Sequence, residues 1–70
     1  MSSYIDRMVI EKEELDIKIS KLDDFICSEK FDEIGNRQRT LLQMQFAAMS
    51  AYTSTLGERI RLSTEETVTN

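Results

Sequence analysis

Residues 41–62, LLQMQFAAMSAYTSTLGERIRL, decide the fold. Along this stretch apolar and small side chains recur every three or four residues, which is the spacing of a helix face and not of a strand. A first row comprises Leu42, Gln45, Met49, Tyr52, Leu56 and Arg59. A parallel row comprises Leu41, Met44, Ala48, Ala51 and Thr55. We therefore predict a helix over residues 37–62 with an apolar face wider than one neighbouring helix covers.

The N-terminal part of the chain shows the same rhythm. Its apolar row is Ile5, Met8, Leu15, Ile19, Leu22 and Ile26, with Lys12 in the one vacant step. This pattern predicts a helix over residues 3–27. Residues 28–36 form a short connector, in which Phe31 and Ile34 tuck under the helix ends and Gly35 permits a left-handed backbone. Because so short a connector returns the chain alongside itself, the predicted fold class is all-α, an antiparallel helical hairpin.

The size of the chain indicates self-association. Seventy residues bury too little apolar surface for comfortable stability alone. With Cys27 as the only cysteine and no histidine, neither a disulfide within the chain nor a zinc site supplements the core. We expect residues 1–62 to assemble into a homo-oligomeric helical bundle, a tetramer in preference to a dimer. Residues 63–70 are polar and are expected to form a flexible tail.

Charge and hydropathy exclude several classes of partner. The net charge of −4 disfavours DNA or RNA polymers, whose phosphates need a basic surface. No apolar run is long enough for a membrane span or a signal peptide. We expect a cytosolic protein without a cofactor, in which Cys27 is a small buried apolar residue.

Catalytic chemistry has little support. There is no histidine for proton transfer, no glycine-rich phosphate loop and no nucleophile motif. The acidic residues between Glu11 and Asp16 alternate with lysines, which is typical of a solvated helix face and not of a metal site. The prediction is a protein that is not an enzyme and has no catalytic or metal-binding residues.

Two groups of polar residues have alternative interpretations. Lys12, Gln45 and Arg59 fall within the apolar rows, where they either specify register and oligomeric state or face a ligand. An antiparallel hairpin also brings Tyr4 and Arg7 to the end that carries Arg59 and Arg61. This cluster is either ordinary complementation of a helix C-terminus or a site for phosphate and a base.

One motif carries a family resemblance, Leu-Leu-x-x-Gln-x-x-Ala-Met-x-x-Tyr-x-x-x-Leu-x-x-Arg over residues 41–59. With Tyr4, Arg7-Met8, Glu11, Glu14-Leu15, Lys21-Leu22 and Phe25, it resembles a family of very small phage proteins first noticed in crAss-like bacteriophages. Lys12 departs from the pattern, because an aromatic residue is expected there in many relatives.

The resemblance implies a viral sponge, an oligomer that sequesters a nucleotide second messenger of bacterial CBASS or Thoeris immunity in the host cytoplasm. The messenger would be a cyclic oligonucleotide or a cyclic ADP-ribose. Carried over residue by residue, the ligand-binding candidates are Tyr4, Arg7, Gln45, Tyr52 and Arg59. Two rival functions stay open: a helical module that inhibits a host enzyme by protein contact, and a virion assembly protein.

Overall fold

The computed structural model describes residues 3–68, with side chains described for residues 4–65. Helix α1 runs over Ser3–Ile26, the short helix α2 over Glu29–Glu33 and the long helix α3 over Asn36–Val68. The described residues contain no strand, so the predicted all-α class is confirmed. α1 packs against α3, and the hairpin measures 54 × 15 × 14 Å.

The row predicted for α1 is the row that packs against α3. Met8 is buried, and Ile5, Leu15, Ile19, Leu22 and Ile26 are half-buried. Lys12 is half-buried in the vacant step, where its ammonium forms an ion pair of 2.9 Å with Asp16. The long stem of Lys12 therefore contributes to packing while its charge is neutralised near the surface.

The row predicted for α3 is partly wrong. Leu42, Met49 and Leu56 do face α1, and Leu56 is only 1% exposed. The residues that complete this inward row, however, are Phe46, Thr53 and Ile60, which are half-buried. The predicted members Gln45, Tyr52 and Arg59 are exposed. The predicted row and the observed row share Leu42, Met49 and Leu56. Each of their other members differs by one residue in the sequence. The row with the larger apolar side chains, Phe46 and Ile60, packs inward because it removes more apolar surface from water.

The connector closes one end of the hairpin. Phe31 of α2 is buried, and its ring meets the ring of Phe25 edge to face with centroids 6.2 Å apart. The Ser28 hydroxyl donates a 2.6 Å hydrogen bond to the carbonyl of Phe25, which holds the chain as it leaves α1. The predicted left-handed backbone at Gly35 is wrong, because none of the described residues has a positive φ. Cys27 is exposed, which corrects its predicted burial.

The long helix ends later than predicted. α3 continues to Val68, so the part of the expected flexible tail up to residue 68 is helical. Residues 69 and 70 lie outside the described residues. An i,i+3 and an i,i+4 ion pair, from Arg61 to Glu58 and to Glu65, support the additional turns on their exposed surface.

Candidate functional site

The register of the hairpin is fixed by contacts between α1 and α3. The Tyr52 phenol donates a hydrogen bond to the carboxylate of Glu11. On the other flank, the Thr53 hydroxyl donates a 2.5 Å hydrogen bond to Asp16. Because residues seven apart return to the same helix face, antiparallel packing pairs the positions seven before and seven after the Tyr52–Glu11 pair. Counted from the Tyr52–Glu11 pair alone, Tyr4 comes level with Arg59, and Lys18 comes level with Gln45.

These three pairs define one surface, which we call the tyrosine face. It consists of Tyr4, Glu11 and Lys18 on α1 and Gln45, Tyr52 and Arg59 on α3. Arg7 lies one turn from both Tyr4 and Glu11 and borders the same face. All five residues predicted to bind a ligand thus lie on or beside a single face of the hairpin, and all five are exposed.

The five residues do not form one compact cluster. Tyr52 and Arg59 are two turns apart, about 10 Å along α3, and Tyr4 and Arg7 are at the level of Arg59 or within one turn of it. Gln45 is two further turns away, about 21 Å from Arg59 along the axis. The Gln45 amide donates only a 3.9 Å contact to the sulfur of Met49. One hairpin therefore brings together Tyr4, Arg7, Tyr52 and Arg59 and leaves Gln45 apart.

At the end of the hairpin away from the connector, one arginine forms ion pairs within residues 4–65 and two do not. Arg61 forms ion pairs with Glu58 and Glu65, and these hydrogen bonds raise the pKa of Arg61 and lower that of Glu58. Neither Arg7 nor Arg59 forms an ion pair with a carboxylate among residues 4–65. The predicted concentration of free positive charge is thus reduced from three arginines to Arg7 and Arg59.

Tyr52 lies between opposing charges. Its hydrogen bond to Glu11 is the main reason that the pKa of Tyr52 is raised, and the positive charge of Arg59 acts in the opposite direction. The phenol is therefore held as a neutral donor, and its ring, 45% exposed, is available for stacking. Glu11 was read from the sequence as part of a solvated acidic face. Glu11 lies seven residues after Tyr4 and therefore on the same face of α1. This spacing could have predicted that Glu11 contacts α3 on that face.

Gly57 has a structural explanation. A Cβ atom at Gly57 would lie 3.2 Å from Cε of Lys12, closer than ordinary van der Waals contact. The glycine in the middle of α3 therefore makes room for the lysine stem that crosses it. The contact with Lys12 is thus sufficient to explain a glycine at this position, without a ligand.

The fold defines a small helical hairpin with one exposed face of polar and aromatic residues. The chain matches the family model described as Sequestin over residues 2–62, and it belongs to the Sequestin family. That name is consistent with a protein that sequesters a molecule. Comparison with curated proteins and with solved structures gives no match. No helix among the described residues combines the length and the apolar character that crossing a membrane requires.

Proposed function

We propose that this chain is a phage anti-defence sponge that binds a nucleotide immune messenger and holds it without cleaving it. The messenger is a cyclic oligonucleotide or a cyclic ADP-ribose, as used in CBASS and Thoeris signalling. The protein acts in the cytoplasm of the bacterial host and resembles small proteins of crAss-like phages. The observation that carries the proposal is the common face of Tyr4, Arg7, Tyr52 and Arg59, with two arginines that the described carboxylates leave unpaired.

Each of these side chains has a role in binding. The guanidinium groups of Arg7 and Arg59 donate paired hydrogen bonds to phosphate oxygens, a geometry that suits arginine better than lysine. The rings of Tyr4 and Tyr52 stack on a base, which is worth about 1 to 3 kcal/mol per base. Gln45 offers both a donor and an acceptor to a polar base edge.

Sequestration needs binding groups but no reacting group. The proposed site contains no nucleophile with an adjacent base, and its one carboxylate, Glu11, is occupied by the Tyr52 phenol. A net charge of −4 also disfavours long nucleic acids, whose many phosphates would be repelled, while a small messenger meets only the local arginines. Such a protein lowers the free messenger concentration by mass action.

A screen of nucleotide ligands tests the proposal. Calorimetry and thermal shift with cyclic dinucleotides, cyclic trinucleotides and cyclic ADP-ribose isomers are expected to find one class that binds and stabilises the protein. If none of these classes binds, the nucleotide proposal fails. In that case the rival functions remain, docking on a host enzyme and assembly of the virion.

A further inference from the structure

Helix α3 has a second row of apolar and small side chains that α1 does not cover. Its large members are well exposed: Leu41 by 55%, Met44 by 62% and Leu62 by 47%. The full row is Leu41, Met44, Ala48, Ala51, Thr55 and Leu62, and we call it the outer row. Glu58 occupies the step between Thr55 and Leu62, so the unbroken run of apolar and small residues extends from Leu41 to Thr55. An exposed run of this length marks a surface that a partner covers.

Two pairs of the outer row match about the peptide bond between Ala51 and Tyr52, while the same centre sets Met44 level with the partner's Arg59. Leu41 lies ten residues before Ala51, and Leu62 lies ten residues after Tyr52. Ala48 lies three residues before Ala51, and Thr55 three after Tyr52. A two-fold axis at this point sets each leucine against the other leucine of a second copy. The same axis sets Ala48 against the partner's Thr55, where small side chains let the two helices approach closely.

Charge and surface shape agree with the antiparallel direction. The exposed Arg37 near the start of α3 comes level, within one residue, with Glu65 near its end on the second copy, where Glu65 also pairs with Arg61 of its own chain. A parallel, in-register pairing would instead set Arg37 against the partner's Arg37 and Glu65 against the partner's Glu65, and like charges repel. A surface hollow of about 200 Å³ borders Leu41 and Thr40. In the antiparallel pairing this hollow takes the partner's Leu62.

The exposed area of the hairpin is large enough for such an interface. The chain exposes 5455 Å², whereas a compact protein of 8.1 kDa exposes about 4,500 Å². The excess of about 1,000 Å² per copy compares with the roughly 800 Å² per partner that a standard stable interface buries. The radius of gyration, 16.0 Å against about 11 Å for a compact chain of 70 residues, shows the same excess.

We propose that two copies of this chain pack α3 against α3 in antiparallel fashion through the outer row, with the two-fold axis at the Ala51–Tyr52 peptide. Gln45, six residues before Ala51, then lies within one residue, about 1.5 Å along the axis, of the level of the partner's Arg59. The tyrosine face becomes the floor of a trough between α1 and the partner's α3. Each half of the trough combines Tyr4, Arg7, Tyr52 and Arg59 of one copy with Gln45 of the other.

This arrangement explains how Gln45 shares a site with Arg59, although the two lie about 21 Å apart on one helix. The interface itself does not depend on any ligand. The use of the trough as a nucleotide site rests on the proposed function. A test of the interface without ligand therefore separates failure of this inference from failure of the proposed function.

Disulfide trapping in the full chain tests the register. The variant Cys27→Ser with Ala48→Cys and Thr55→Cys is expected to form a covalent dimer on mild oxidation. Within one chain these two positions are about 10 Å apart, beyond the roughly 7 Å limit between Cα atoms for a disulfide, so the bond must join two copies. Cys27→Ser with Ala48→Cys alone is the matched control and should stay unlinked. Equal linking in the control, as parallel pairing predicts, or absence of a dimer in the double-cysteine variant would overturn the proposal.

A mass measurement tests the same surface without cysteine chemistry. Leu41→Glu places a charge against the partner's Leu62 in the outer row and should reduce the sedimenting mass at micromolar concentration with helicity retained in circular dichroism. Ser20→Glu, at an exposed position of α1, should leave the mass unchanged. A folded Leu41→Glu protein with the mass of the wild type, or a monomeric wild type, would contradict the interface.

Discussion

Tyr52 and Glu11 are 41 residues apart in the sequence, yet the Tyr52 phenol donates a hydrogen bond to the Glu11 carboxylate across the two helices of the hairpin. The contact fixes the register that places Tyr4 opposite Arg59. It also holds the Tyr52 ring at the surface beside the unpaired Arg59. The proposed phosphate and base contacts depend on this alignment.

Replacing Arg59 separates ligand binding from folding. Arg59→Ala should weaken nucleotide binding by roughly ten- to a hundredfold, since a lost charge-assisted hydrogen bond costs about 1.5 to 3 kcal/mol. Arg61→Ala is the matched control at the same end of α3, because Arg61 is already paired with Glu58 and Glu65. Calorimetry on both variants, with circular dichroism for folding, measures the difference. Equal losses in the two variants would show that the end of the hairpin contributes only general positive charge.

Leu56 should be the most costly residue of α3 to truncate. It is 1% exposed against α1, and Leu56→Ala should lower the free energy of unfolding by about 2 to 5 kcal/mol. Ile17→Ala removes the same number of carbon atoms from a residue of α1 that is 57% exposed, and it should cost less than half as much. Urea unfolding of both variants compares the two values. Similar costs would mean that the inward face of α3 is wrongly assigned.

The contact between Gly57 and Lys12 predicts a coupled pair of substitutions. Alanine is favoured over glycine inside a helix by about 1 kcal/mol, but a Cβ at position 57 would crowd Cε of Lys12 at 3.2 Å. Gly57→Ala should therefore stabilise the protein by less than about 1 kcal/mol in the wild type and by the full amount in a Lys12→Ala background. A double-mutant cycle in urea measures the coupling. Equal gains in both backgrounds would contradict the close approach.

The bond between Thr53 and Asp16 predicts how stability depends on pH. The Thr53 hydroxyl, followed by Lys12, lowers the pKa of Asp16 below its ordinary value of 3.8. The ionised carboxylate is thus favoured by folding, so its contribution is present above pH 3.8 and is lost as the pH falls through the lower, folded-state pKa. Thr53→Val should reduce the loss of stability on acidification from neutral pH to below pH 3.8.

Thr55→Val is the control for this prediction. Its hydroxyl donates to the carbonyl of Ala51 on its own helix and contacts no carboxylate of α1. Urea unfolding at neutral and acid pH should give the wild-type dependence for Thr55→Val. The contact would be refuted by a Thr53→Val protein whose acid sensitivity equals that of the wild type.

The sequence predicts the inward face of α1 correctly and the inward face of α3 only in part. In α1 only one row is apolar along most of the helix, since Val9, Ile10 and Ile17 do not extend into a second row, so the face toward α3 is unambiguous. In α3, Leu42, Met49 and Leu56 belong equally to a row with Gln45 and Tyr52 and to a row with Phe46 and Thr53. Both rows have helical spacing. Only the packing of the two helices decides which row is covered by α1 and which faces outward.

The candidate site shows the same limit. The prediction that Tyr4 and Arg59 share one end of the hairpin follows from helix direction and connector length. The pairing of Arg61 with Glu58 and Glu65, and the contact from Tyr52 to Glu11, depend on side-chain positions around the helices. A wrong face in α3 therefore placed Gln45 and Arg59 in a buried row, when both are exposed.

Analysis of the bound nucleotide tests most directly whether the protein holds the nucleotide without cleaving it. The protein is incubated with the nucleotide class that binds in calorimetry, freed of unbound ligand and then heat-denatured, and the released compound is analysed by mass spectrometry. A sponge should release the intact nucleotide in an amount stoichiometric with the protein sites, and Arg59→Ala should release correspondingly less. Release of a cleaved or otherwise modified nucleotide, or no retained nucleotide at all, would contradict it.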